Sequence, residues 1–125
     1  MTTVYLDLED LLALTRILGV GPVRDIGLLD SAAVRPTSAL YGEEAYATVP
    51  LKAAALLHSI VRNHALVDGN KRLAWLSCVV ILDLNDLEPP LTDEEAFTLT
   101  MDAAAGLLDV AEIADRLCAI PRRSR

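Results

Sequence analysis

Nine consecutive residues, His64-Ala65-Leu66-Val67-Asp68-Gly69-Asn70-Lys71-Arg72, gather the side chains best suited to chemistry in this chain. Histidine is the side chain whose ordinary pKa lets it take up a proton near neutral pH. Asp68 is a carboxylate of the kind that holds magnesium together with phosphate oxygens and water. Lys71 and Arg72 offer phosphate a point charge and a planar fork. Asp68-Gly69 is a turn signal, because Gly accepts positive φ, and a helical pattern begins at Asn70. Both cations therefore fall in a first helical turn, where each opposes the helix dipole by about 0.3–1 kcal/mol when exposed. A helix start with free N–H groups and two added cations suits an anion better than water. Asn70 either holds the loop or donates to a phosphate. A base, a metal ligand and an anion seat are the parts of phosphoryl or nucleotidyl transfer.

Each of these residues also has a plain structural reading. Asp68 can cap the helix that follows it. His64 can be a satisfied helix-end residue, and Lys71 and Arg72 can be solvated surface cations. His58, the other histidine, lies on an Ala-rich helix with no evident partner and reads as structural or surface.

The elements that must position this loop read as helices throughout. Apolar spacing predicts a first helix over 8–18, capped by Asp7 and ended by Gly19. A short second helix fits 27–34, before Pro36. Residues 37–49 have no helical period and suggest an irregular or hairpin-like excursion, an exposed flap. A third helix runs from Thr48 or Pro50 to Asn63, with a core stripe of Ala53, Leu56, Leu57, Ile60 and Val61. The fourth, over 70–84, is apolar nearly all round from Leu73 to Leu82, which predicts a central helix covered by the others. Thr92 to Glu95 forms a capping box for a fifth helix to about Ala105. Asp109 caps a sixth that ends before Pro121. The expectation is an all-α bundle of about six helices in one domain over 1–125, with a short flap.

Composition narrows the function. The 125 residues include 11 basic and 18 acidic side chains, a net charge of −7, which speaks against direct nucleic-acid binding. Lys71 and Arg72 stand out against that negative background. The basic tail Pro121-Arg122-Arg123-Ser124-Arg125 reads as a frayed, solvated terminus. Aromatic content is 4%, so Leu, Ala, Val and Ile must fill the core. Cys78 and Cys118 lack metal or disulfide spacing, and Cys78 reads as a small core residue. No secretory signal and no apolar run of the roughly 18 residues a membrane span needs is present, so a soluble cytoplasmic protein is expected.

The stretch from His64 to Arg72 resembles the signature of the Fic/Doc superfamily, H-x-F-x-D-G-N-(G/K)-R. It is most similar to the Doc branch, the death-on-curing toxins, which carry Lys at the position of Lys71. Residues 27–32, 52–57, 62–64 and 107–110 resemble runs that Doc-like chains carry at the same places, so the likeness covers nearly the whole chain. It implies a Fic-type helical fold with the motif leading into a central helix. It implies a catalytic His64, a magnesium ligand at Asp68, and phosphate contacts from Gly69, Asn70, Lys71 and Arg72. ATP and Mg2+ are the implied cofactors. Members with Gly at the Lys71 position mostly transfer AMP to a protein hydroxyl, whereas Doc-like members with Lys there are associated with transfer of the γ-phosphate. A lysine side chain fills and charges the space that Gly leaves to a phosphate. The second Arg of AMP-transferring motifs is replaced by Trp75. Three further departures are Leu66 for the usual Phe, Ala65 for a frequent Pro, and Asp86 for a frequent Gly.

Some Fic proteins carry an inhibitory helix, (S/T)-x-x-x-E-(G/N). No Glu of this sequence has Ser or Thr four residues before it. The resemblance then implies inhibition by a separate antitoxin similar to Phd, whose disordered segment folds into a groove; the net charge of −7 suits a segment with basic residues. The function it implies is a toxin of a toxin–antitoxin pair that acts as a protein Ser/Thr kinase on elongation factor Tu and arrests translation. The alternatives are an adenylyltransferase using the same residues, and a non-enzymatic toxin that blocks its target by binding.

Overall fold

Side-chain caps set the helix starts. In a computed structural model describing residues 2–123, α1 (Leu8–Leu18) begins at Asp7, whose carboxylate accepts from Asp10 N while Asp10 reaches back to Asp7 N, both at 2.9 Å. The reciprocal pair satisfies two amides that a helix start leaves without partners. Gly19 ends the helix in the left-handed region, φ 67°. α2 (Ile26–Val34) starts at Asp25 and runs into a 3₁₀ turn (Arg35–Thr37) that takes in Pro36. α3 (Val49–Asn63) is capped by Thr48, and α4 (Asn70–Leu84) follows the motif loop. α5 (Asp93–Ala104) and α6 (Val110–Leu117) each open with a capping box, Thr92 with Glu95 and Asp109 with Glu112. Six helices therefore occupy the predicted places, and the fold is predominantly helical.

The centre of the bundle differs from expectation. α3, not α4, is the helix that α2, the 3₁₀ turn, α4, α5 and α6 all pack against. Ala53, Ala54, Ala55, Leu56 and Leu57 are fully buried. The three small alanines let neighbouring backbones come close on several sides, and each buried Leu contributes roughly 1.5–3 kcal/mol. α4 buries Leu73, Ala74, Ser77, Cys78, Ile81 and Leu82 but leaves Trp75, Leu76, Val79 and Val80 half-covered. Its all-round apolar pattern reflects a groove on its outer face rather than enclosure. Burial pushes the Cys78 thiol up to about 12, so it packs as an inert apolar group.

The flap is a hairpin. β1 (Ala39–Leu40) pairs antiparallel with β2 (Glu43–Glu44), Ala39 opposite Glu44 and Leu40 opposite Glu43. Tyr41 and Gly42 between them take φ 52° and 79°, the signs a two-residue hairpin turn of the right twist requires. Lys52, buried in α3, ties the hairpin down through Glu44 at 3.0 Å and the Tyr46 carbonyl, with the Tyr5 ring 5.7 Å from its ammonium. Desolvation pulls the Lys52 pKa down, but Glu44 and Tyr5 outweigh it and hold the pKa above its ordinary value. Arg35 donates to Tyr46 Oη at 2.8 Å and Ser59 Oγ at 3.0 Å, and lies 2.8 Å from His58 Nδ1. His58 is thus structural, with the partner that its sequence context did not reveal.

The C-terminal segment is ordered where a frayed tail was expected. β3 (Leu87–Glu88) pairs with β4 (Ile120–Pro121). Arg122 then meets Asp83 at 3.4 Å and Asp86 at 3.0 Å, and Arg123 meets Glu88 at 3.0 Å. Opposite charges far apart in sequence make this closure, so local polarity alone reads as solvation. Ser124 and Arg125 lie outside the described residues. Asp86 stands at φ 65°, which explains why Gly suits that position; an Asp tolerates it, and its carboxylate takes the Arg122 bond.

Burial and the charges of Arg35 and Arg62 lower the His58 pKa from 6.5, against a smaller opposing effect of Asp109. The folded state favours neutral His58, so as pH falls below 6.5 the unfolded state binds more protons and stability drops. His58→Gln keeps an acceptor for Arg35 but cannot titrate. Urea denaturation should show wild type losing stability as pH falls through this window, and His58→Gln losing visibly less.

Candidate active site

The motif loop is held by a second, distant segment. α3 ends at His64, which takes the left-handed conformation φ 53°, ψ 49°. Residues 21–25 then run antiparallel to residues 64–68. Arg24 N and Asp25 N donate to Ala65 O at 2.7 and 3.0 Å, Val67 N donates to Pro22 O at 2.9 Å, and Gly21 N donates to Asp68 O at 3.0 Å. Ala65 and Leu66 are each 2% exposed. Leu66 forms a bridge with Val23. Asn70 closes the loop from the far side: its Oδ1 accepts from Leu66 N at 3.0 Å and its Nδ2 donates to Leu66 O at 2.9 Å. The amide thus performs a loop-holding role.

Gly69 precedes α4 at φ 92°, and α4 has no side-chain cap. Asp68 therefore does not cap the helix; it is exposed beside it. Leu73 N is the first amide of α4 to bond back into its helix, to Gly69 O at 3.0 Å. The amides of the first turn before it have no carbonyl of their own helix to meet. They open on a cleft of about 660 Å³. His64, Asp68, Gly69, Asn70, Lys71 and Arg72 all line it, facing a wall of Phe97, Met101 and Ala104 from α5 and Ala105 just beyond its end. The loop thus brings together every site residue read from the sequence. A Cβ on Gly69 would lie 2.5 Å from Val20 Cγ1, so only Gly lets the loop come this close to residues 19–21.

Sequence reasoning missed three contributors. Arg24 and Val20 come from a loop some 40 residues upstream that carries no local sign of its role. The α5 wall did carry a sign: Phe97 and Met101, spaced i and i+4, stay 67% and 39% exposed, more apolar surface than α5 needs for its core.

Residues 5–82, more than half of the chain, match the Fic/DOC family. The chain is also 45% identical over 118 residues to the protein named toxin Doc of Mycolicibacterium smegmatis, an alignment covering 93% of this chain and 85% of the relative. The chain belongs to the Fic/DOC family. Within it, it falls in the Doc toxin branch.

Membership in a Fic/DOC family of ATP-using transferases agrees with the donor set. The bare α4 start and the two exposed cations fit a polyphosphate. Among the described residues no three His, Cys, Asp or Glu side chains group to hold a metal. Asp68 offers one exposed carboxylate beside the α4 start, and a single carboxylate suits magnesium only where phosphate oxygens and water fill the other positions. No helix among the described residues is long and apolar enough to cross a membrane.

Gly69→Ala should lose about 1–3 kcal/mol of stability from backbone strain and the Val20 clash. Chemical denaturation measures it. Adding Val20→Ala should recover little of the loss, because the Val20 Cβ, the nearest clashing atom, stays in place; Val20→Gly removes that atom and should recover more while leaving the strained φ.

Proposed function

We propose that this Doc-like toxin transfers the γ-phosphate of ATP to a Ser or Thr hydroxyl of a protein target. Elongation factor Tu is the target its resemblance implies, with arrest of translation as the result. The observation that carries the reading is the convergence of His64, Asp68, Lys71 and Arg72 on one cleft at an uncapped helix start. Lys71 and Arg72 bind the phosphates and orient the triphosphate along the first turn of α4. His64 accepts the proton of the acceptor hydroxyl as its oxygen bonds to the γ-phosphorus. The bond from that phosphorus to the bridging oxygen breaks, and ADP leaves with the electron pair. Magnesium held by Asp68 would neutralise charge developing on the phosphates. Lys71 occupies the position where Gly would admit a phosphate in the AMP-transferring orientation. Trp75, at the place of the second Arg of those enzymes, lines an adjoining apolar groove and not the cleft.

That groove, about 400 Å³, has Leu18, Trp75, Leu76, Phe97 and Met101 along it and reaches Lys71 and Arg72. An antitoxin resembling Phd would lay an apolar segment there and cover both cations. Capture of this chain from its native host should recover a small co-encoded protein; repeated recovery of none counts against the antitoxin.

With ATP and magnesium, label at the γ-position should end on the target protein and label at the α-position should not. The reverse pattern establishes AMP transfer instead. His64→Ala should cut transfer by roughly 10²–10⁴-fold with the fold intact. Toxicity that survives this substitution would mean a toxin that acts by binding alone.

A further inference from the structure

We propose that Arg24 is a positioning residue for the His64 imidazole, clamping the carbonyl of the residue that carries it. The inference rests on the reading of His64 as the base and names what holds that base in place. Both Nε, at 3.0 Å, and a terminal nitrogen of Arg24 donate to His64 O. One charged guanidinium thus points two donors at a single carbonyl oxygen, a hold stronger than a neutral hydrogen bond. The grip falls where the backbone needs it. His64 is a non-Gly residue in the left-handed region, at the junction where α3 stops and the loop starts. Such a conformation persists only when its surroundings over-determine it.

The rest of the ladder between residues 21–25 and 64–68 is made by backbone groups and survives any side-chain change at position 24. Truncating Arg24 therefore removes the hold on the His64 peptide and leaves the loop otherwise paired. Arg24 does not line the cleft, so it acts through His64 and not on phosphate. It is also exposed, so its loss removes little buried packing. Freed of the clamp, the peptide plane after His64 can rotate, and with it the direction in which the imidazole leaves the backbone. Displacements of about 1 Å in a reacting group lower rates by up to about 10²-fold.

The chain has two histidines, so ring-proton and ring-carbon NMR gives one signal set for His64 and one for His58 as an internal control. In Arg24→Ala the His64 signals should shift or broaden while those of His58 and the melting temperature stay near wild type. Turnover should fall about 10- to 100-fold with KM for ATP little changed. Arg24→Lys, which can still donate to the carbonyl, should restore part of both. Unaltered His64 signals in Arg24→Ala would overturn the proposal. So would a matching disturbance of His58 with a large drop in melting temperature, the mark of a general structural role. The NMR readout needs no transfer reaction. If wild type transferred neither label while the His64 signals still moved alone in Arg24→Ala, the clamp would stand and the proposed reaction would fall.

Discussion

The antiparallel pairing of residues 21–25 with residues 64–68 is the constraint on which the site depends. A loop between two helices has backbone groups with no ladder of their own, and those turned from water need partners. The upstream segment supplies them, and the motif loop becomes a short strand-like element in place of a mobile connection. Leu66, facing inward, plugs this element into the core at 2% exposure. Asn70 ties its far end back to Leu66. The start of α4 is thereby fixed relative to the end of α3, so that His64 at one helix end shares a cleft with Lys71 and Arg72 at the other. The fixing is shared among Leu66, the ladder and the Asn70 amide.

α3 carries this geometry through the molecule. Its first half anchors the hairpin flap through Lys52, its middle meets Arg35 through His58 and Ser59 while Arg35 in turn holds the flap residue Tyr46, and its end delivers His64. Arg62, the penultimate residue of α3, donates to Ala104 O at 2.8 Å and packs under Gly106. That contact sets the α5 wall of the cleft against the helix that bears His64. One buried, Ala-rich helix therefore references flap, base and wall to a single rigid axis. A close-packed interior transmits such placement because it tolerates little displacement.

Local signals were legible in the sequence and distant ones were not. Asp7, Thr48, Thr92 and Asp109 announce helix starts because a cap acts within three residues of itself. The six site residues were legible because they sit in one unbroken stretch whose residue types agree on one chemistry. The central helix was misjudged because an apolar pattern reports preference for burial, while the alanines of α3 decide how many neighbours can approach. The β3–β4 closure, the Arg35–His58 contact and the Arg24 side of the loop each join residues 20 or more positions apart. No periodicity or propensity encodes such pairs, since each half is an ordinary polar or turn residue until the other arrives.

The electrostatics of α4 show how stability and chemistry pull apart at this site. A helix start ordinarily gains about 1 kcal/mol from a capping side chain and more from acidic residues in its first turn. α1, α5 and α6 take both gains, with Glu9 and Asp10, Asp93 to Glu95, and Glu112 near their starts. α4 takes neither: Gly69 precedes it without a cap, and its first turn holds Lys71 and Arg72 and no acid. In the same chain and under the same net charge of −7, the one helix start lined with cations is the one that opens on the cleft with His64 and Asp68. An anion seated there would satisfy the open amides and reverse the sign of the dipole interaction at once. Under the proposed function, the folded state would gain from ligand what the other helices gain from their own side chains, and phosphate occupancy would be coupled to the stability of this helix start.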